Sequence, residues 1–333
     1  MSRAHAVLVR RGARTRPLLA ALCLPVLLGA CIQVQLWGVP RPLEETVVYG
    51  ESGPKILLLE IDGVIVEQAP EPGLLGPAED NPVSRVREQL DRARDDDEVR
   101  ALLLRINSPG GTATASDLVY GEILRFKRER KVPVVAQLMG LATSGGYYVA
   151  MAADLVVAHP TTVTGSIGVR FVSVSLAGLL EKLGIEDQTL TAGAHKDAGS
   201  PLRRLTPDER AHLQSVLDDL HTRFEQVVVA GRPKLPPGAL ERVADGSIFS
   251  ARQALELGLV DAVADLEESV LRAKRAAGLS EARVVQYHRP REYANNLYTR
   301  GSPVAPKLRL EFPGSRALAV RPGFYFLWAP ELP

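Results

Sequence analysis

Ser144 is the residue whose surroundings in this sequence best suit covalent chemistry. It is followed by Gly145 and Gly146 and then by an apolar run of good helix formers, within residues 139–153. Glycines let the backbone turn sharply and let another segment approach closely, and the free N–H groups of a following helix would face the serine. A nucleophile whose transition state carries an oxyanion needs such a setting. Taken alone, the stretch is equally compatible with a Ser-Gly-Gly turn that caps a buried helix.

A serine hydroxyl becomes a good nucleophile only when a base removes its proton. Lys196 lies in a polar loop with glycines towards both ends, in a chain that is rich in arginine and poor in lysine. As a base near neutral pH it would need a pKa near 7 instead of about 10.4, which burial can produce. An exposed surface lysine is the simpler interpretation. Histidine is the other candidate base, and spacing selects none of the candidates: His159, His195, His212 and His221.

An oxyanion site needs two N–H donors. Gly145, directly after the serine, is one candidate. Gly110 or Gly111 is another, at the end of an Asn-Ser-Pro-Gly-Gly segment between a predicted strand and a predicted helix. That segment by itself is typical of a tight turn.

Composition excludes several classes of function. A net charge of +1 and the absence of a basic stripe argue against nucleic-acid binding. The only cysteines, Cys23 and Cys31, lie near the N-terminus, and the six histidines show no paired ligand spacing. We therefore expect no metal and no other cofactor.

The N-terminus has the pattern of a secretory signal. Five arginines precede a short apolar run over residues 17–30. The residues before Cys31, Leu-Gly-Ala, resemble a bacterial lipobox, so residues 1–31 are expected to be a lipoprotein signal peptide and Cys31 the lipidated residue. Two alternatives for this segment are an uncleaved membrane anchor and a buried N-terminal helix. Either the lipidated or the anchored form places the body outside the cytoplasm, on the periplasmic side.

The remaining chain alternates between predicted strands and helices, which indicates parallel βαβ units in a layered α/β domain. Residues 32–54 are expected to be a linker, 55–287 a single catalytic domain and 288–333 a Pro-rich tail, whose aromatic end is expected to pack on the body or on a neighbouring subunit. Strands are predicted over 55–66, 99–106, 132–138, 154–158, 188–191 and 284–287, and helices over 83–94, 113–130, 174–183, 206–230, 249–257 and 266–277.

Five sequence blocks together resemble bacterial signal peptide peptidase A, in its short single-repeat form. In chain order they are Asn-Ser-Pro-Gly-Gly111, Ala-Thr-Ser144-Gly-Gly-Tyr-Tyr, Thr-Gly-Ser-Ile-Gly-Val169, Gly-Ala-His-Lys196-Asp and Gly-Leu-Val-Asp261. The resemblance covers about residues 55–287. It implies the Clp protease/crotonase-like fold and a serine protease.

By this resemblance, Ser144 is the nucleophile and Lys196 the general base, while the Gly110–Gly111 turn and the Gly145 amide form the oxyanion hole. It also implies peptide substrates, namely cleaved signal peptides or other unfolded apolar segments. Family members form homo-oligomeric rings in which Ser and Lys of one site come from neighbouring subunits. A single chain would then hold the two residues too far apart to react.

Two other functions stay open. Ala142-x-Ser144-x-Gly146 approaches the nucleophile pattern of an α/β-hydrolase esterase, although in that fold the serine directly follows its strand, whereas the predicted strand ends at Leu138. A crotonase-fold scaffold without catalysis is the second alternative, and the presence of both Ser144 and Lys196 argues against it.

Overall fold

The computed structural model describes residues 42–67, 81–236, 238–290, 292–299, 302–303 and 323–328. The predicted signal peptide and Cys31 lie outside the described residues. Within the described ranges, no helix is both long and apolar enough to cross a membrane.

Among the described residues, a nine-stranded, mostly parallel sheet forms the centre of the fold. Its main strand order is β1-β11-β2-β3-β5-β6-β10, with β7 joined to β5 and β9 to β7. The strands are β1 Glu44–Tyr49, β2 Lys55–Asp62, β3 Val99–Ser108, β4 Gly110–Thr112, β5 Val134–Thr143, β6 Leu155–Ala158, β7 Val163–Gly165, β8 Arg170–Val172, β9 Ile248–Ser250, β10 Ala262–Val263, β11 Arg283–His288, β12 Glu292–Tyr293, β13 Ser302–Pro303 and β14 Gly323–Leu327.

Helices cover both faces of this sheet, which explains why its inner strands are almost continuously apolar. Along β3, Leu102 and Leu104 belong to a core shared with the first, second, third and fifth helices, whereas Leu103 points into a smaller core closed by the last helix. The helices are α1 Pro82–Arg94, α2 Ala113–Arg130, α3 Gly145–Ala150, α4 Ala177–Lys182, α5 Pro207–Gly231, α6 Ala239–Val243, α7 Ala251–Glu256 and α8 Leu266–Ala276. The predicted layered α/β fold is confirmed.

Helix starts follow local sequence signals. Asn81 caps α1 by accepting from the backbone N–H of Ser84 at 2.8 Å. Thr206 and Glu209 form a reciprocal capping box at the start of α5, as the Thr-Pro-Asp-Glu sequence predicts.

Two predictions from the sequence need correction. Residues 44–49 of the expected linker form β1, which pairs antiparallel with β11 and so extends the sheet edge. The predicted strand over 188–191 is absent because these residues lie exposed on the surface, where Leu190 is 98% accessible and no strand is available to pair. The aromatic end of the tail packs on the body, one of the two expected positions, and does so as strand β14 between β4 and β8.

Candidate active site

Ser144 lies in a strained turn between a strand and a helix. Strand β5 ends at Thr143 and α3 begins at Gly145, so Ser144 alone makes the turn, with φ +52° and ψ −118°. Positive φ is uncommon for a residue with a side chain and costs on the order of 1–3 kcal/mol. The Ser144 N–H donates to Gly165 O at 2.7 Å, and the residue is almost fully buried. Backbone strain of this kind is concentrated at functional sites.

This geometry corrects the prediction that β5 ends at Leu138. The strand continues because it changes partners: Gln137 still pairs with β6, whereas Leu141 and Thr143 pair with β7. At the change, Asn107 Oδ1 accepts from the Leu141 N–H at 3.2 Å. The serine therefore follows its strand directly, and the length of the intervening segment is no argument against an esterase.

The three predicted oxyanion glycines meet beside Ser144. A Cβ on Gly110 would lie 2.6 Å from the Gly145 nitrogen, and a Cβ on Gly145 would lie 3.1 Å from the Gly110 Cα. Only glycine permits this approach, and Gly110 also has φ +98°.

The N–H groups of Gly110 and Gly111 face different hydrogen-bond acceptors. The Gly110 N–H donates to Ser108 Oγ at 3.0 Å. On the opposite edge of β4, the Trp328 N–H donates to Pro109 O at 2.9 Å. Along an antiparallel ladder, hydrogen-bonded and non-hydrogen-bonded residue pairs alternate. The pair Gly111–Phe326 lies two positions from the hydrogen-bonded pair Pro109–Trp328, so it is hydrogen-bonded as well. The Gly111 N–H therefore points towards the Phe326 carbonyl. Gly111 and Gly145 are therefore the better N–H donors, and Gly110 supplies the space between them.

Ser108 is a site residue that sequence reasoning did not single out. Its hydroxyl donates to Gly63 O at 2.6 Å while accepting from Gly110. It thereby fixes the glycine turn to the end of β2. Its place within the Asn-Ser-Pro-Gly-Gly segment was the available signal.

Lys196 is not joined to Ser144 within one chain. The lysine loop, residues 193–199, is a series of turns in which Lys196 is exposed. Among the described residues, neither Ser144 Oγ nor the Lys196 ammonium forms a hydrogen bond or ion pair. The structure thus places the predicted nucleophile in the body and the predicted base on the surface.

The lysine loop is nevertheless held at a defined position. Arg203 forms ion pairs with Asp197 and with Glu209 at the start of α5, each at 2.5 Å. The hydrogen bonds from Arg203 lower the pKa of Asp197 below its usual range and lower that of Glu209 to about 2. Both carboxylates are therefore ionised at neutral pH.

The histidines of the described residues form contacts away from Ser144. His159 Nδ1 lies 2.9 Å from Thr161 Oγ1. His195 stacks on His212 with ring centres 5.6 Å apart and lies 3.4 Å from Asp208 at the surface. No histidine in the described part of the chain hydrogen-bonds to Ser144, so a single chain supplies no histidine base to this serine.

Two protein-family models match this chain. The family model for Peptidase family S49 matches residues 126–280, and the Clp protease model matches residues 73–163. Ser144 lies in both matched regions, Lys196 in the first, and the glycine pair 110–111 in the second.

Individual relatives extend the comparison beyond these regions. The chain is 35% identical to an Enterococcus faecium protein assigned as signal peptide peptidase SppA, over 75% of this chain and 72% of that one. It is 40% identical to an assigned protease of Synechocystis over 55% and 65% of the two chains. It is 31% identical to Protease 4 of Salmonella typhi over 69% of this chain and 36% of that protein, so it matches about a third of the latter. The chain therefore belongs to peptidase family S49, the family of signal peptide peptidase A and protease 4, and is a serine protease with a Clp protease-like fold.

Proposed function

We propose that this serine protease cleaves peptide bonds with Ser144 as nucleophile and Lys196 of a neighbouring subunit as general base. The observation that carries the proposal is the strained Ser144 turn, which lies against the glycines at positions 110, 111 and 145. The lysine loop, exposed and held by Arg203, is the available source of a base.

The reaction follows from these roles. Neutral Lys196 accepts the Ser144 proton as Oγ attacks the substrate carbonyl, and the Gly111 and Gly145 N–H groups stabilise the oxyanion. The lysine then donates that proton to the leaving amine. Water, activated by the same lysine, hydrolyses the acyl-enzyme and frees Ser144.

The surface around the lysine loop supports assembly of several subunits. Ser173 Oγ donates to Gly199 O at 3.3 Å, and the Leu176 N–H donates to Pro201 O at 2.7 Å, so residues 173–176 and the loop region form one surface. Large apolar side chains of this segment are at least 40% exposed: Val174, Leu176, Leu179, Leu183 and Ile185. Such an apolar surface is typical of a contact with another chain, and a homo-oligomeric ring would cover it while bringing Lys196 to the next Ser144.

The proposed substrates are cleaved signal peptides or other unfolded apolar segments. Support comes from the name of the Enterococcus relative. The predicted signal and lipobox would place the enzyme in the cell envelope, attached to the membrane through lipid on Cys31 on the periplasmic side. Incorporation of a fatty-acid label that is lost in Cys31→Ser and kept in Cys23→Ser would support this anchor; label retained in Cys31→Ser would contradict it.

Substitution of the two proposed catalytic residues tests the chemistry. Ser144→Ala should abolish casein cleavage and labelling by a fluorophosphonate. Lys196→Arg should lower kcat by about 10²–10⁴-fold, because arginine stays protonated and cannot accept the serine proton. Activity retained in Lys196→Arg would reject the lysine as base, and cleavage of simple esters without any peptide cleavage would favour an esterase.

Mixing the two inactive variants tests whether sites are shared between subunits. In a ring where Ser and Lys come from neighbours, random 1:1 assembly of Ser144→Ala and Lys196→Ala chains pairs an intact serine with an intact lysine in about a quarter of sites. We therefore expect about a quarter of the wild-type activity after co-expression. If each chain holds a complete site, the mixture stays inactive.

A further inference from the structure

The two proposed oxyanion donors precede two different helices. Gly111 lies in β4, which leads directly into α2 at Ala113, whereas Gly145 is the first residue of α3. The position of each N–H group therefore depends on the helix that follows it. An oxyanion is stabilised only when its donors lie about 2.7–3.1 Å from the developing charge. A contact that fixes α2 against α3 consequently fixes the spacing of the two donors.

A hydrogen bond between side chains joins these two helices. The Tyr148 hydroxyl on α3 donates to Asp117 Oδ1 on α2 at 2.5 Å. Tyr148 is fully buried, and its N–H donates to Ser144 O at 2.8 Å, which closes the first turn of α3. Tyr148 thus contacts the nucleophile turn through its backbone and α2 through its side chain.

The Tyr148 hydroxyl remains a hydrogen-bond donor at neutral pH. Burial and the adjacent Asp117 both raise the pKa of this hydroxyl above its usual range. Arg223 Nη2 on α5 donates to the same Asp117 oxygen at 2.8 Å and so restricts rotation of the carboxyl group. The Arg223 and Asp117 side chains are both about half exposed, so their ion pair contributes little energy by itself.

Close packing provides a second link between α2 and Gly145. A Cβ on Gly145 would clash with Ser116 Oγ, so this glycine lies directly against the first turn of α2. Ser116 is itself fully buried, and its hydroxyl donates to Thr112 O at 2.9 Å. Because the packing here is close, a shift of α3 against α2 would also move the Gly145 N–H.

We propose that Tyr148 and Asp117 are positioning residues for the oxyanion site, which hold Gly145 at a fixed distance from Gly111. The inference rests on the proposed function, which assigns the N–H groups of these glycines to the substrate oxyanion. Both side chains act through the backbone that they hold. The oxyanion forms in the transition state, so loss of the hydrogen bond should lower kcat and leave KM unchanged.

Removal of the Tyr148 hydroxyl tests this role. Tyr148→Phe keeps the ring and leaves no unpaired buried donor, because Asp117 retains Arg223 as its partner. We expect kcat per folded molecule to fall by about 10- to 100-fold, the scale of a small displacement at a catalytic group, with KM changed by less than about twofold.

Tyr120→Phe is the matched control. Tyr120 is also buried, with its ring centre 5.4 Å from that of Tyr148, and among the described residues its hydroxyl has no hydrogen-bond partner. This variant should turn over substrate as the wild type does. Equal kcat values for Tyr148→Phe and Tyr120→Phe would overturn the proposal.

Variants of Asp117 separate the hydrogen bond from the charge. Asp117→Asn keeps an oxygen that accepts from Tyr148 and should retain kcat within about threefold of the wild type. Asp117→Leu removes the acceptor and should lower kcat as Tyr148→Phe does. In Tyr148→Phe/Asp117→Leu the loss should not exceed that of the more impaired single variant, because both changes break one hydrogen bond. Additive losses would show that the two residues act separately and would overturn the proposal.

A peptide aldehyde gives a readout that a purely structural role would not change. Ser144 Oγ adds to the aldehyde carbonyl and transfers its proton to Lys196, and the resulting oxygen occupies the oxyanion site as in a transition state. The inhibition constant of the aldehyde should rise in Tyr148→Phe by the factor by which kcat/KM falls. Binding of the corresponding peptide alcohol should stay unchanged. An aldehyde inhibition constant equal to that of the wild type would contradict the positioning role.

The same measurements separate this proposal from the proposed function. If the wild type neither cleaves casein nor binds the aldehyde, the proposed function fails, and the positioning role fails with it. If the wild type does both and Tyr148→Phe matches it in kcat and in aldehyde binding, the proposed function stands and only the role of Tyr148 and Asp117 is rejected.

Discussion

Arg203 binds Asp197, the residue that follows Lys196, through two hydrogen bonds of 2.7 and 2.5 Å. The same guanidinium donates to both carboxylate oxygens of Glu209. Arg203 thereby ties the lysine loop to the first turn of α5, which Thr206 caps. In the proposed mechanism it is a positioning residue, since it acts on the base through Asp197.

Loss of this tie should lower turnover in the molecules that remain folded. Arg203→Gln leaves both carboxylates without their partner and loosens the loop, and a displacement of about 1 Å at a catalytic group lowers rates by up to about 10²-fold. We expect kcat to fall by about 10- to 100-fold with little change in KM. The matched control is Arg252→Gln, which removes an exposed ion pair with Glu256 on α7 and should leave kcat unchanged. Equal kcat values for the two variants would show that the tie is irrelevant to catalysis.

The pKa of Glu209 predicts a loss of stability in acid. Hydrogen bonds from Arg203 lower this pKa from 4.5 to about 2 in the folded protein. A carboxyl group with a lowered folded-state pKa contributes stability that is fully present above about pH 4.5 and is lost as the pH falls towards 2. Glu209→Gln removes that dependence and can still accept the capping bond.

Urea unfolding at pH 6 and pH 3 measures this effect. The wild type should lose more free energy of unfolding between the two pH values than Glu209→Gln does. Glu256→Gln, at an exposed ion pair, should behave as the wild type. Parallel losses in wild type and Glu209→Gln would show that another group controls acid stability.

The central sheet was predictable because its signals are local. The strands over residues 55–62 and 99–108 contain the unbroken apolar runs 56–59 and 101–104, and Asn81 and Thr206 mark the helices that follow them. The βαβ alternation then restricts the topology. These features require no knowledge of distant residues.

The parts that sequence reasoning missed depend on distant pairing. The extension of β5 through Gly140 to Thr143 requires β7, whose residues follow about twenty positions later. The position of β14 depends on β4, more than two hundred residues earlier. Neither register leaves a local pattern. The source of the base for Ser144 is equally hidden, because the resemblance names Lys196 and a single chain does not bring it to the serine.

Gly110 should tolerate no side chain. A Cβ there would lie 2.0 Å from Phe326 O and 2.6 Å from the Gly145 nitrogen, at φ +98°. Gly110→Ala should therefore displace the oxyanion donors and lower kcat/KM by at least about 10²-fold, the scale of losing one donor. Gly140→Ala is the matched control, because its Cβ would meet only Asn107 Oδ1, at 3.7 Å. An active Gly110→Ala protein would exclude this turn from the catalytic site.

Arg232 and Asp261 should matter for stability and not for catalysis. Arg232 is 9% exposed and donates to the two Asp261 carboxylate oxygens at 2.7 and 2.9 Å, while Asp261 also accepts from the Val156 N–H at 2.8 Å. Arg232→Met leaves that carboxylate without its cation and should cost on the order of 2–3 kcal/mol, less than a fully buried pair because Asp261 keeps contact with water.

Arg252→Met, which breaks the exposed pair with Glu256, should cost less than about 1 kcal/mol. The free energies of unfolding from urea titration test this difference, and kcat per folded molecule should match the wild type for both variants. Asp261 ends one of the sequence blocks that resemble signal peptide peptidase A. A loss of stability with unchanged kcat would show that this block has a structural role, namely to hold β6 and β10 in place. A selective loss of kcat in Arg232→Met, with stability unchanged, would instead connect the ion pair to the active site.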